Sequence, residues 1–108
     1  MSFRIATVHN DNSSTEVYFV GLESWGDYDL ILGLLQKENN CQIISDQEAI
    51  YIRKADLLWN GIKFQLVQDD MLGNFLFTPD NKVVPTLEQL AQNVIDSVMK
   101  KLKEKGLL

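Results

Sequence analysis

Two adjacent residues near the middle of the chain, Asn60 and Gly61, restrict how it folds more than any other pair. A two-residue type I′ turn demands positive φ at both central positions, which Asn tolerates and Gly adopts without a Cβ penalty. Such a loop also fixes which flanking residues face one another, so the assignment can be tested against the pattern around it. Trp59 falls opposite Ile62, Leu57 opposite Phe64 and Ala55 opposite Leu66, while Leu58, Asp56 and Lys54 oppose Lys63, Gln65 and Val67. One face is apolar and the other mostly polar, so turn chemistry and side-chain alternation agree. A hairpin around this turn is the predicted centre of a β-sheet.

The 108 residues suit one domain, 1–108, large enough to bury a core without disulfides or metals. Cys41 has no second cysteine to pair with, and beside Ile43 and Ile44 it reads as a small core residue. The first residues lack a basic region followed by an apolar run, and no stretch has the length of a membrane span. A cytoplasmic protein with no membrane partner is the expectation. The net charge of −5 argues against nucleic acid as a direct ligand and favours a basic partner. That acidity is unevenly placed. Residues 1–78 hold 11 Asp and Glu against 5 Lys and Arg, whereas residues 79–108 hold 4 against 5.

Residues 3–8 and 16–22 are rich in strand formers, separated by a polar loop over 9–15. Ser24 and Asp27 then form a capping box that opens a helix carrying Tyr28, Ile31, Leu32 and Leu35 at helical spacing, widened by Leu30 and Leu34. Gly33 inside this helix is expected to permit close approach to the sheet, and Asn39-Asn40 to end it. A strand over 41–45 and a polar turn at Asp46-Gln47-Glu48 lead into a strand over 49–59. Alternation breaks there, because Ile50 and Ile52 share the face of Lys54 and Asp56. A bulge near Arg53-Lys54 is the predicted device that turns both segments to the core.

After the central hairpin, residues 68–72 are expected to turn and 73–78 to form a strand with Phe75 and Phe77 in the core. Thr86 and Gln89 read as a second capping box. Leu87, Leu90, Ala91, Val94, Ile95, Val98, Met99 and Leu102 follow it at i, i+3, i+4 spacing, and the lysines from Lys100 onward compensate the helix dipole. The predicted fold class is α+β: a mostly antiparallel sheet of about six strands, in the order β-β-α-β-β-β-β-α, with two helices packed on one face.

Motifs that would declare a chemistry are absent: there is no phosphate-cradling glycine loop, no Cys or His metal constellation and no nucleophile elbow. No cofactor is implied, and no catalytic residues are assigned. What stands out is a set of carboxylates at predicted turns and at the first helix start, namely Glu23, Asp27, Asp29, Asp46, Glu48, Asp69 and Asp70, with Trp25 and Tyr28 as aromatic anchors beside them. Loops of this kind gather at one end of a sheet and serve binding.

The run over 62–77, Ile-Lys-Phe-Gln-Leu-Val-Gln-Asp-Asp-Met-Leu-Gly-Asn-Phe-Leu-Phe, followed by a terminal helix, resembles small α+β immunity proteins of bacterial toxin systems, including those of contact-dependent growth inhibition. The resemblance implies a cytoplasmic, non-enzymatic inhibitor that binds one cognate toxin domain, often a basic nuclease, and blocks its active site or substrate groove. Two other classes compete with it. A homo-oligomeric structural module would associate through a strand edge or apolar patch. A small-molecule-binding enzyme would need a deep pocket with convergent polar groups.

Overall fold

The computed structural model describes residues 2–108. Its strands are β1 (Arg4–His9), β2 (Thr15–Val20), β3 (Gln42–Glu48), β4 (Ile52–Trp59), β5 (Ile62–Asp69) and β6 (Gly73–Thr78). Helix α1 (Trp25–Asn39) lies between β2 and β3, and α2 (Val84–Glu104) follows β6. All six strands join one antiparallel sheet in the order β1-β2-β6-β5-β4-β3. The chain is therefore a meander from β3 to β6, with the hairpin β1-β2 added at the β6 edge. Both helices cover one face, which makes the architecture the predicted α+β arrangement.

The central turn forms as its chemistry requires. Asn60 has φ 47° and Gly61 φ 80°, and β4 pairs with β5 without a break from Ile52 opposite Asp69 to Trp59 opposite Ile62. Ala55, Leu57, Phe64 and Leu66 then meet Ile31 and Leu35 of α1 and Leu90, Val94 and Ile95 of α2 in one buried cluster, with Trp59 and Ile62 packed at its margin. The Ser24–Asp27 capping box is made in both directions, and Asn40 closes α1 in the left-handed conformation. Cys41 is buried beneath that helix end, and burial pushes its thiol up to about 11.

Four expectations are corrected. First, Phe75 is buried and Phe77 half-buried, but both lie on the sheet face away from the helices, because the register sets Leu66 opposite Leu76 and Val67 opposite Phe75. Leu76 takes the core position instead. With apolar residues at successive positions, β6 carried no alternation from which to choose a face. Second, the bulge lies in β3, between Ile43 and Ser45, and β4 runs straight. The polar residues 46–48 continue β3, and the turn falls at 49–51. Ile50 and Ile52 are consequently exposed. Third, Val84 and Pro85 start α2, which has no side-chain cap; a single 3₁₀ turn (Asn81–Val83), capped by Asp80, delivers the chain to it. Gln89 reaches forward to Asn93 rather than back to Thr86. Fourth, a Cβ built on Gly33 meets nothing within 4 Å, so no close approach requires that glycine. Leu30 is also exposed, while Leu34 is buried.

Candidate functional site

Antiparallel pairing brings the β2–α1 loop, the β3–β4 turn and the β5–β6 turn to the same end of the sheet. Two buried amides hold the first of these down. Asn74 Nδ2 donates to the carbonyls of Leu22 and Ser24 at 2.8 and 3.0 Å, and Gln68 Nε2 donates to that of Glu23 at 3.4 Å. The loop lies so close that a Cβ on Gly73, at φ 92°, would come within 3.2 Å of the Glu23 side chain. The two turns are tied to each other by Asp70 N–H donating to the Tyr51 carbonyl at 3.0 Å. Trp25 Nε1 then donates to Asp70 Oδ1 at 2.9 Å, bracing the start of α1 against the β5–β6 turn. The predicted site residues are thus gathered in space.

Most of their carboxylates are already engaged. Asp27 caps α1, Glu23 accepts from the Gly21 amide at 3.0 Å, and Asp69 Oδ1 accepts from the amides of Met71 and Leu72. Asp29 and Asp46 share Arg53, at 2.8 and 2.7 Å, and the Arg53 guanidinium lies 4.3 Å over the Tyr28 ring. Tyr28 O–H completes the knot by donating to Asp46 Oδ1 at 3.0 Å. Hydrogen bonds from Arg53 hold the Asp46 carboxyl below the usual carboxylate range, and burial followed by the bond to Asp46 pushes the Tyr28 phenol above its ordinary value. Tyr28 is fully buried, so it positions Arg53 and has no surface to offer a partner.

Sequence reasoning missed the apolar residues that this framework displays. Met71 is 93% exposed, Ile50 82%, Tyr51 68% and Leu72 55%, with Ile52 beside them at 43%. They form the tips of two turns joined by a backbone hydrogen bond, and a shallow depression of about 460 Å³ between Trp25, Glu48, Ala49 and Ile50 lies alongside. The signal is the break in alternation at Ile50 and Ile52, for which exposure at a turn is the explanation and a bulge in β4 is not. Glu48 and Asp70 stand next to these tips, and the Glu48 carboxylate makes no hydrogen bond or ion pair among the described residues.

Exposed apolar turn tips with carboxylates beside them are an arrangement able to serve protein binding, the hydrophobes through contact and the charges through orientation. Among the described residues no group of three or more His, Cys, Asp or Glu is placed to hold a metal ion, and no helix is long and apolar enough to cross a membrane. No family model, no curated protein and no solved structure matches the chain.

Proposed function

We propose that this protein neutralises a cognate toxin domain, basic and nuclease-like, by seating its acidic sheet end over the active site or substrate groove of that domain. The observation that carries the reading is the pair of tied turns presenting Ile50, Tyr51, Met71 and Leu72 to solvent, with Glu48, Asp69 and Asp70 flanking them in the chain. A folded chain that keeps four large apolar side chains at its most prominent turns gains nothing from them in isolation. The surplus of carboxylates over residues 1–78 suits a partner site lined by Lys and Arg. Cytoplasmic action and an inhibitory rather than enzymatic role complete the reading.

The test is titration and growth protection against candidate toxin domains, beginning with any encoded beside this protein. Ile50→Ser and Met71→Ser together should weaken binding at least tenfold, a loss of about 1.4 kcal/mol or more, with the melting temperature unchanged. Glu48→Gln with Asp70→Asn should mainly slow association, and added salt should shrink that difference. Lys100→Glu, on the far helix, should leave protection intact. Full protection by the apolar double variant would remove the sheet end from the interface.

A further inference from the structure

Among the described residues no helix lies on the sheet face opposite α1 and α2, where Phe75 is buried by its neighbours and the residues around it are partly exposed, yet that face is not polar. Registers and alternation place Ala6 and Val8 of β1, Tyr18 and Val20 of β2, Phe75 and Phe77 of β6, Val67 of β5, and Ile52 and Leu58 of β4 on it. The Tyr18 and Phe75 rings meet at 4.9 Å between centroids near its middle. An antiparallel sheet that faces water on one side ordinarily alternates apolar-in and polar-out, and β6 in particular departs from this. The charges on the face also balance. Arg4, Lys54 and Lys63 accompany Glu16, Asp56 and Asp69, on a chain whose net charge is −5.

From this we infer that a second copy of the chain packs face to face on the open sheet, about a twofold axis crossing the strands between the row of Gln65 and the row of Val67. The order of residues along each strand carries the inference. Rotation about that axis sets each residue over the one equally far beyond the axis on the same strand of the other copy. On β5, Lys63 of one copy meets Asp69 of the other, and on β4, Lys54 meets Asp56. On β6, Phe77 meets Phe75, on β2, Glu16 meets Tyr18, and on β1, Val8 meets Ala6. Each opposition occurs twice by symmetry, and none sets like charges together. An axis along the strands would instead set Glu16 over Asp56, which are in one row two strands either side of the centre.

Six strands about 4.8 Å apart and four rows of side chains make a face of roughly 600 to 700 Å² in projection, the scale of the roughly 800 Å² per partner in a standard stable interface. Aligned sheet packing accommodates the twist of both layers. The helices stay outside, and the two apolar turn ends point to opposite poles of the pair. This surface meets the proposed toxin-binding end only at its edge row, Ile52 and Asp69, and the variants that test it, at Lys63 and Val67, lie outside that end, so either proposal can fail without the other.

The experiment is sedimentation equilibrium of the intact chain up to about 1 mM. The expected mass is twice the 12.4 kDa of one copy. Lys63→Glu, which sets Glu opposite Asp69 twice, should weaken association roughly tenfold or more. Val67→Lys, at the axis, should return the chain to a single copy, with circular dichroism melts reporting that both variants fold. Lys63 is exposed, so its variant decides the matter even where Val67→Lys does not fold. A native chain that sediments as one copy throughout overturns the proposal. So does a dimer that Lys63→Glu leaves intact, which would point to pairing through the edge strands.

Discussion

Arg53 gathers more of the fold around itself than any single charged residue on the sheet, joining β3, β4 and α1 through Asp46, Asp29 and the Tyr28 ring. Its head is largely covered, so its bonds are less screened than those of an open surface pair. Replacing it by Met should lower stability by about 1 to 3 kcal/mol, measured by urea unfolding at neutral pH. The pH dependence follows from Asp46, whose carboxyl is held low in the folded state. Its contribution is fully present above the unfolded aspartate pKa near 3.9 and is lost as pH falls through the lower folded value. The difference between wild type and Arg53→Met should therefore narrow below about pH 4; a constant difference down to pH 2 would separate Asp46 from the effect. Gly33 offers the opposite case. Its space is open and its backbone helical, so Gly33→Ala should raise stability by about 1 kcal/mol. Neither outcome is legible in the sequence: Arg53 marks only the place of a predicted bulge, and the glycine suggests a contact that does not exist.

Among the elements, the central hairpin was legible to the residue, because two independent constraints, turn type and face pattern, had to agree. Gly61 also gives a clean measurement of the turn. Its φ of 80° is strained for any other residue, while nothing lies within 4 Å of an added Cβ. Gly61→Ala should thus cost about 1 to 2 kcal/mol from backbone strain alone, and a neutral result in thermal melts would mean that the turn relaxes to another type. Helix α1 was legible at both ends, since Ser24, Asp27 and Asn40 each satisfy orphaned groups that a helix must leave. The β3–β4 turn was not, because local pattern takes for granted that isoleucines seek the core. The carboxylates of the sheet end were legible, but most of them prove to be structural acceptors, and the apolar turn tips beside them were hidden by that same assumption. In α2 the second box was legible as a sequence and false as a structure, because Pro85 already fits the first turn and begins the helix earlier.

At the scale of the molecule, composition and element order sufficed for the fold class, whereas the strand order β1-β2-β6-β5-β4-β3 rested on long-range pairing that no local pattern encodes. That order has a consequence for how the protein is made. β2 finds its partner β6 only through pairs such as Thr15 with Thr78 and Tyr18 with Phe75, so the first hairpin to leave the ribosome must wait for the last strand. At about 5 to 20 residues per second the delay is on the order of 3 to 13 s. Meanwhile the nascent β2 carries Val17 and Phe19 with nothing to bury them and a strand edge with no neighbour. In refolding, pulse-labelled amides of β4 and β5 should gain protection before those of β1 and β2, since the meander closes short loops and the β2–β6 joint a long one; simultaneous protection of all six strands would refute the order. In the cell the same interval is a window for chaperones, and destabilising the first hairpin would show itself as lost yield during synthesis more than as a lowered melting point of what survives.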